Sequence, residues 1–551
     1  MLGFTHRGLL GGRINGRALE IGVCATASSG FFLLGYDQGV MSGIITEPIF
    51  LDTFPQMNSK NKEGAIQALV VAIYEVGCLF GALAMVAYGD KIGRRRAVLL
   101  GASIMIIGAI LQTSSYGLAQ LIVGRIVTGI GNGMSTSNIP VWQSEMAPPK
   151  IRGFLVLFEG ALITGGIVVS YWLNYGFWFV TSHGSLQWRF PIGFQMLFGL
   201  LLIFGVLLFP ESPRWLLKHG KEEDAAEIMG WLHECSPEDP QVRSDIDEIN
   251  ELNAATQGQK LTWGEFFGNK DRNMNLWRAS AACGSQAMQQ ISGINLVTYY
   301  ATTVFEDSLG FDGTLSRFMT AWLGTEYFLS ACLALFIVDR LGRRFLMMSC
   351  AAGMAGCLLI IGACLSYANK SNKGPAYAAT VFIFVYDSFF AIGWLGVTWL
   401  YPAEVTPIRT RAEAAGFATA TNWIFNYLVV QLAPIMINTI SWKTYFVFFC
   451  FNIAFVPIVY FFLPETNGYK LETLDAIFAQ AHDKGENPVF TEKRVRKDGG
   501  KLQAIEATLQ DESKDKPDDT KNGVEGVEDR SRGSNNGRSH QFDEEKHIDE
   551  L

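Results

Sequence analysis

Ionisable side chains inside long apolar stretches are the first candidates for chemistry in this chain. A charged group in the middle of a membrane span costs about 3 kcal/mol on insertion scales, so each one needs a reason. We take Arg125 as the only strong cation of this set, and an Asp facing it would act as a proton switch, paired when ionised and released when protonated. We therefore predict that Asp37 and Arg125 form a proton-coupling pair. Three further acids either line a cavity or are hydrogen-bonded near an interface: Glu75, Glu326 and Asp387.

A second group of polar residues lies in residues 289–300, where amides, a hydroxyl and phenols share one apolar stretch. Gln289, Gln290 and Asn295 each donate and accept hydrogen bonds, which suits vicinal hydroxyl groups. Gly293 permits a break in the helix. Hydrogen bonding between helices is the alternative, but two adjacent glutamines and an asparagine exceed what packing usually requires. We predict substrate binding here, by Tyr299 as well as by the amides. Similar chemistry, with a structural role as the alternative for each residue, is supplied by Trp399, Asn422, Trp423 and Asn426.

Three charged signatures of the first half of the chain recur in the same order roughly 250 residues later. A duplicated membrane-embedded half is what alternating access needs, because one half must rock against the other around a central site. We expect the arginines to pair with carboxylates at cytosolic helix ends, in bridges that hold the inner face closed and break when the halves rock apart. The first set is Asp90-Lys91-Ile92-Gly93-Arg94-Arg95, Glu145 seven residues before Arg152, and Pro210-Glu211-Ser212-Pro213-Arg214; the second is Asp339-Arg340-Leu341-Gly342-Arg343-Arg344, Glu404 seven residues before Arg411, and Pro464-Glu465-Thr466.

The elements that must position these residues are long apolar helices. Apolar residues make up 49% of the chain and charged residues only 17%, and the charges cluster between stretches of about 20 residues, enough to cross a bilayer. The pattern predicts an all-α, polytopic membrane protein with twelve transmembrane helices in two six-helix halves. The predicted spans are 19–44, 64–88, 97–114, 117–140, 154–175, 190–209, 277–302, 316–338, 345–366, 377–401, 412–438 and 443–463.

Lysine and arginine set the expected orientation. The short connections that carry them fall on one side, which the positive-inside rule makes cytosolic, so both termini are expected inside and no signal peptide is expected to be cleaved. Asn369 lies in an external loop and could accept a glycan. The predicted regions are a cytosolic N-terminus 1–18, a bundle 19–209, a cytosolic central loop 210–275 with short helices near 222–234 and 244–253, a bundle 276–465, and a cytosolic tail 466–551 that is disordered beyond about 482.

Searches for enzyme chemistry find nothing. The sequence has no Walker loop, no HExxH and no nucleophile elbow, so we expect neither an enzyme nor a primary pump. The nine cysteines lie mostly inside spans and suggest neither a disulfide framework nor a metal site. We expect no cofactor and no nucleic-acid partner, and any driving energy must come from an ion gradient.

Taken together, these motifs resemble those of sugar porters of the major facilitator superfamily over about residues 20–480, and within that family they are similar to fungal sugar/proton symporters. The motifs are Gly35-Tyr36-Asp37-Gln38-Gly39, Gly93-Arg94-Arg95, Ile139-Pro140-Val141-Trp142-Gln143-Ser144-Glu145-Met146, Gln187-Trp188-Arg189-Phe190-Pro191, Pro210-Glu211-Ser212-Pro213-Arg214-Trp215-Leu216, Gln289-Gln290 with Gly293-Ile294-Asn295, Gly342-Arg343-Arg344, and Pro464-Glu465-Thr466 with Gly468.

The resemblance implies the major facilitator fold, a proton pair of Asp37 and Arg125, and a set of sugar contacts. It also exposes two departures. Hexose porters usually have Gln where this chain has Gly160, preceded by Glu159, and Asn where it has Tyr327, so we add Glu159 and Tyr327 to the substrate-binding candidates. A polyol or pentose becomes as credible as glucose. The implied sugar contacts are Gln289, Gln290, Asn295, Trp399 and Asn422.

We therefore expect proton-coupled uptake of a monosaccharide or polyol across the plasma membrane by alternating access. The expected partners are the small molecule, protons and the lipid bilayer. One alternative is a facilitator of hexoses or pentoses without proton coupling. The other is a transporter-like nutrient sensor that signals through its cytosolic tail.

Overall fold

The computed structural model describes residues 6–59, 64–148, 152–181, 184–257, 272–367, 374–407, 410–469 and 471–497. Two expectations from the sequence, the glycan acceptor Asn369 and the disordered tail from residue 498 onward, lie outside the described residues.

The first half of the chain folds into long helices that run back and forth. Gly93, with φ of +93°, ends one helix and lets the next begin at Arg94, and a Cβ there would lie 3.0 Å from a Glu211 oxygen. Only glycine suits such a turn, because its backbone reaches positive φ without a steric penalty. The helices are α1 (Gly16–Ile44), α2 (Pro48–Thr53), α3 (Ala65–Ile92), α4 (Arg94–Thr113), α5 (Leu118–Met146), α6 (Arg152–Trp178) and α7 (Leu186–Leu208).

Three shorter helices occupy the described part of the charged central loop. The first begins where the Ser212 side chain accepts a hydrogen bond from the Trp215 backbone N–H, which is an N-terminal cap. The other two coincide with the two stretches in which apolar residues recur at helical spacing. These helices are α8 (Pro213–Lys218), α9 (Glu222–His233) and α10 (Pro240–Gln257).

The second half repeats the architecture of the first, with breaks in two of its helices. Gly342, with φ of +86°, stands between two helices as Gly93 does in the first half. The helices are α11 (Asn275–Ile291), α12 (Ile294–Thr303), α13 (Gly313–Leu341), α14 (Arg343–Tyr367), α15 (Gly374–Phe390), α16 (Val397–Val405), α17 (Arg411–Ile440), α18 (Lys443–Phe462), α19 (Leu471–Lys484) and α20 (Pro488–Lys497).

All twelve predicted spans coincide with helices, and the all-α membrane fold is confirmed. Among the described residues, ten helical segments are long and apolar enough to cross a membrane, by length and composition alone. The other two predicted spans are α5, which carries Arg125 and many polar residues, and the broken pair α11–α12. Their polarity and their breaks are the cost of placing functional groups at membrane depth.

Both breaks in the second half lie where the polar residues concentrate. At Gly293 the backbone reaches φ of +101°, and the Ser292 carbonyl freed by the break accepts hydrogen bonds from Tyr386 (3.1 Å) and Asn452 (2.8 Å). Between α15 and α16 the chain widens into a π-helical turn, Ala391–Leu395. Freed carbonyls inside a membrane need such partners, and π-turns of this kind often accompany functional sites.

The prediction of disorder beyond about residue 482 is wrong for the residues up to Lys497, because α20 is folded and buries Val489 and Val495. Its sequence is too polar to reveal a core, but its polar side chains have partners in the fold. Tyr469 donates to Glu492 (3.1 Å), and the Lys493 ammonium lies 4.0 Å from the centre of the Tyr460 ring. These tertiary contacts stabilise α20 although its own sequence has few apolar residues.

The two halves pack within one unit that extends to Arg496. The closest packing between the halves is of α6 against α13 and of α3 against α17, with α1 against α12. We name the end of the bundle that carries Arg94 and Arg343 the arginine-rich face, and the end that carries Trp178 and Arg317 the opposite face.

Candidate transport site

A cavity lies between the two halves, midway along their helices. The empty space between its lining residues, including the part that is open to solvent, is about 510 Å³. Eight of the ten candidate substrate contacts named from the sequence line it, together with aliphatic and aromatic side chains from both halves. None of the described residues that line it carries a formal charge, so its chemistry suits a neutral guest. The lining residues are Leu34, Gln38, Ile163, Ile167, Gln289, Gln290, Ile294, Asn295, Thr298, Tyr327, Phe390, Leu395, Trp399, Asn422, Trp423 and Asn426.

A chain of amides organises the polar wall of the cavity. Asn295 donates to Gln290 (2.6 Å), Gln290 donates to Gln289 (3.2 Å), and Asn422 donates to the same Gln289 oxygen (2.9 Å). The Gln289 amide nitrogen in turn donates to the carbonyls of Trp394 (3.0 Å) and Leu395 (3.1 Å) in the π-turn. The network therefore connects three helices and fixes the direction in which each amide can offer a bond to a guest.

Two polar groups that α17 contributes to the cavity wall have no hydrogen-bond partner among the described residues. The indole N–H of Trp423 and the amide oxygen of Asn426 are buried, and neither makes a hydrogen bond. A buried donor or acceptor without a partner costs about 1–3 kcal/mol. One donor and one acceptor in the cavity wall, both unsatisfied, are what a hydroxyl-bearing guest would pair with.

The structure does not place two predicted contacts, Tyr299 and Glu159, on the cavity wall. The Tyr299 hydroxyl turns instead towards α3 and donates to the carboxylate of Glu75. Glu159 is buried, and it is its neighbour Gly160 that faces Leu395 and Gly396 across the boundary between the halves. The reason is helical geometry, since adjacent residues on a helix point about 100° apart.

Glu326 and Asp387 are hydrogen-bonding or buried groups rather than lining residues. Glu326 accepts from Ser330 (2.6 Å) and from Ser388 (2.5 Å), and thus ties α13 to α15. Asp387 precedes Ser388 on α15 and is buried.

The predicted proton pair, Asp37 and Arg125, lies fully buried in one polar cluster, but the two side chains are not directly bonded. Asn132 donates to Asp37 and to the hydroxyl of Tyr74 (2.8 Å), and the guanidinium of Arg125 lies 4.7 Å from the centre of the Tyr74 ring. One Asp37 oxygen and two Arg125 nitrogens have no hydrogen-bond partner. Such unsatisfied buried groups are suited to exchange a proton or a partner during a transport cycle.

At the arginine-rich face, the first half forms the predicted ion pairs. Arg94 binds Glu145 through two nitrogens (3.2 and 3.3 Å) and also binds Asp90 (3.3 Å). Glu211 accepts the backbone N–H groups of Arg94 and Arg95, each at 3.2 Å. Burial is the main influence on the Glu211 carboxyl and raises its pKa, while the backbone N–H groups of Ser212 and Arg95 oppose the shift.

The second half repeats this arrangement residue by residue. Arg343 binds Glu404 through two nitrogens (2.9 and 3.2 Å) and also binds Asp339 (3.1 Å). Glu465 accepts the backbone N–H groups of Arg343 (2.9 Å) and Arg344 (3.0 Å). All of these pairs lie within one half, so they are not themselves the contacts that hold the two halves together.

Two further arginines of the signatures lie in different surroundings. Arg411 donates to the Thr406 carbonyl (3.3 Å), and Arg214 is exposed. The side chain of Arg152 lies outside the described part of the chain. Among the described residues, Glu145 pairs with Arg94 and Glu404 pairs with Arg343, as the sequence also proposed.

Hydrogen bonds between the halves cluster at and towards the opposite face. Trp172 donates to Thr325 (2.9 Å), Trp178 donates to Thr314 (3.0 Å), and Tyr171 donates to the Thr298 carbonyl. Near the other edge of the same face, Asn438 donates to the Ser59 carbonyl (3.1 Å). The structure is therefore closed at the opposite face.

Several residues of the site are absent from the sequence predictions. Gln38 and Thr298 line the cavity, and Tyr74 and Asn132 connect Asp37 to Arg125. Gln38 directly follows Asp37 in the glycine-rich motif, which is the only local signal. Arg317 on α13 and Arg278 on α11 are further buried cations, and each lies among the first residues of a predicted span.

Comparison with known proteins agrees with this geometry. Residues 23–478 match the family described as Sugar (and other) transporter, and the chain belongs to that family. It is 40% identical to the MFS-type transporter oryC of Aspergillus oryzae over 83% of this chain and 84% of that protein. It is 36% identical to the Sugar transporter STL1 of Saccharomyces cerevisiae over 86% of this chain and 84% of that protein.

The fold is also that of a solved transporter. The proton:xylose symporter XylE, in a structure with 6-bromo-6-deoxy-D-glucose bound, superposes with a TM-score of 0.69 at 26% identity, covering 84% of this chain and 99% of that one. The chain is thus a multi-pass membrane transporter of the sugar porter family in the major facilitator superfamily, and it is not an enzyme.

Proposed function

We propose that this protein imports a neutral monosaccharide or polyol across the plasma membrane together with a proton, by alternating access. The observation that carries the proposal is the adjacency of two sites on α1. Gln38 lines the amide-rich cavity, and the preceding residue, Asp37, lies in the buried cluster with Arg125. A guest in the cavity and a proton on Asp37 therefore act on the same turn of one helix.

The chemistry of the cavity supports a hydroxyl-rich and uncharged substrate. Amides pair with vicinal hydroxyls, and the rings of Trp399 and Trp423 can cover the apolar face of a polyol. An anionic guest would lack a cation among the described lining residues. Similarity to the Sugar transporter STL1 and to the proton:xylose symporter XylE points the same way.

We also propose that the arginine-rich face and both termini are cytosolic. The positive-inside rule places Lys and Arg connections there. With the opposite face closed, the described conformation is then closed to the outside.

Proton coupling would permit strong accumulation. A membrane potential of 100 mV supplies about 2.3 kcal/mol per charge, and one pH unit adds about 1.4 kcal/mol. Together these would sustain a gradient of several-hundred-fold, since each 1.4 kcal/mol is a factor of ten.

The test is expression of the full chain in a yeast that lacks hexose and glycerol uptake. Growth on a panel of hexoses, pentoses, disaccharides and polyols would identify the substrate, and alkalinisation of the medium would report the proton. Asp37→Asn is expected to abolish accumulation while exchange of labelled substrate continues. Asp52→Asn, an exposed change on α2, is the matched control and should leave both unchanged. Unaltered accumulation in Asp37→Asn would overturn the role of Asp37, and insensitivity of the wild type to a protonophore would make the protein a facilitator.

A further inference from the structure

Arg317 ties the two halves together at the opposite face. Its side chain is 1% exposed and lies near the start of α13 in the second half. One terminal nitrogen donates to Glu306 (2.7 Å) and to the Gly313 carbonyl (3.0 Å), both in its own half. The other donates to the Gly43 carbonyl (3.0 Å) and to Thr46 (2.7 Å) at the end of α1 in the first half. One cation therefore caps a helix end across the boundary, where carbonyls carry the negative end of the helix dipole.

A third segment of the first half joins the same cluster. The guanidinium of Arg317 lies 3.8 Å from the centre of the Trp178 ring at the end of α6. The Trp178 indole N–H donates to Thr314 (3.0 Å), three residues before Arg317. Cation–π contacts between desolvated groups are stronger than those exposed to water. Opening this face must therefore break contacts to both α1 and α6.

Glu47 is a further acidic member of the cluster. It follows α1 directly, is 0% exposed, and neither of its carboxyl oxygens has a hydrogen-bond partner in the described structure. Burial raises the pKa of Glu47 to about 8, while Arg317 opposes the shift and Glu306 adds to it. Burial likewise raises the pKa of Glu306, which Arg317 again opposes and Asp307 reinforces. The charged groups that act on Glu47 are thus Arg317 from α13 and Glu306 from the turn after α12, whereas Asp307 acts on Glu306.

The geometry points to a proton-operated latch at the opposite face, in which Arg317 holds the halves together and Glu47 binds a proton from that side as the face closes. This inference rests on the alternating access proposed above, but not on which residue carries the transported proton. Glu306 already neutralises Arg317 in the closed state. A second ionised carboxylate would leave a net negative charge in a buried site, which is costly.

The direction of the pH effect follows from the difference in the Glu47 environment between the closed and the open state of this face. In the closed state the carboxyl of Glu47 has a raised pKa, whereas in the open state water reaches it and its pKa returns towards the ordinary value for glutamate. Closing therefore takes up a proton at any pH between those two values. Acidity at the opposite face should favour closure, by up to about tenfold in the closed-to-open ratio per pH unit.

The experiment measures opening directly in the full chain reconstituted in liposomes. Spin labels at Ala119→Cys and Tyr367→Cys, exposed positions at the opposite face of the first and second halves, would report the distance between halves. The background has the nine native cysteines replaced and uptake retained. Between pH 5 and pH 8, roughly, the wild type is expected to shift from closed to open as pH rises.

Glu47→Gln is expected to keep, across this pH range, the distance distribution that the wild type shows at acid pH, because the amide mimics the protonated acid. Asp52→Asn removes an exposed carboxylate five residues away and should keep the wild-type response. Arg317→Gln should favour the open state at every pH. A Glu47→Gln protein that responds to pH as the wild type does would overturn the role of Glu47, and an Arg317→Gln protein that remains closed would overturn the latch. If the wild type moves no sugar or polyol while its distances still respond to pH, the proposed function fails and the latch stands.

Discussion

The Tyr299 hydroxyl, on a helix of the second half, donates a hydrogen bond to the Glu75 carboxylate of the first half. Both side chains are buried, and the second Glu75 oxygen has no other partner. Glu75 follows Tyr74, whose ring lies against Arg125 and whose hydroxyl accepts from Asn132. Because α12 also carries cavity residues, a shift of this helix would directly displace the side chains of the cluster that holds Asp37.

Removal of the Tyr299 hydroxyl should impair the conformational change of the transporter more than substrate binding. Tyr299→Phe removes the one hydrogen bond that the Glu75 carboxylate accepts among the described residues, at a cost of about 1–3 kcal/mol. Because Tyr299 does not line the cavity, we expect the maximal uptake rate to fall about tenfold or more with little change in KM. Initial-rate uptake over a range of substrate concentrations measures both.

The neighbouring tyrosine provides the control for this change. The Tyr300 hydroxyl donates to the Val430 carbonyl (3.0 Å), a bond of similar burial that stays within the second half. Tyr300→Phe should therefore affect stability without a selective loss of rate. Equal rate losses in the two variants would contradict a coupling role for the Tyr299–Glu75 bond.

The two adjacent glutamines should differ in their kinetic signature. Gln290 bonds only to other cavity amides, so Gln290→Ala should raise KM about tenfold and leave the maximal rate nearly unchanged. Gln289 also holds the carbonyls of the π-turn, so Gln289→Ala should raise KM and lower the rate together. Gln112, an amide that bonds to Thr128 away from the cavity, is the matched control for alanine substitution. A pure KM effect at both Gln289 and Gln290 would show that the π-turn does not depend on Gln289.

The sequence predicts the helices of this fold well because a membrane span needs about 20 apolar residues, a local property. It also predicts the break at Gly293, since only a glycine interrupts that polar stretch. It does not predict that Asn132 and Tyr74 would stand between Asp37 and Arg125, because the partner of a side chain depends on how helices rotate against one another.

The dependence of side-chain partners on helix packing also explains which residues the sequence prediction missed or misplaced. Arg317 and Glu47 are separated by some 270 residues and meet only because the halves close on each other. Tyr299 shares a helix with Asn295 but faces α3, which no span assignment reveals. In α20, the stabilising contacts come from Tyr460 and Tyr469, outside the helix itself.

Asn132 should influence the protonation of Asp37 during transport. Asn132→Ala removes the donor to both Asp37 and Tyr74, each bond contributing about 1 kcal/mol. We expect proton-coupled accumulation to fall about tenfold, and the dependence of uptake on external pH to change, while exchange of substrate continues. Asn138, on the same helix, bonds only to the Met134 carbonyl of its own helix, and Asn138→Ala should leave the pH dependence as it is. Identical pH profiles in wild type and Asn132→Ala would contradict the prediction.

Glu211 and Glu465 should contribute equally to stability, because each organises one half in the same way. Glu211 accepts backbone N–H groups of Arg94, Arg95 and Ser212, and Glu465 accepts those of Arg343, Arg344, Thr466 and Asn467. A glutamine keeps the shape but loses the charge and turns one acceptor into a donor. Each single substitution should therefore cost about 1–3 kcal/mol and lower the melting temperature of the purified protein.

The two sites lie in different halves and share no partner, so their effects should add in the double variant. Glu238→Gln, an exposed change in the central loop, controls for the loss of one negative charge. A double variant no less stable than either single one would mean that the two clusters act as one unit. That result would require contacts between the halves at the arginine-rich face, which the ion pairs of the described structure do not make.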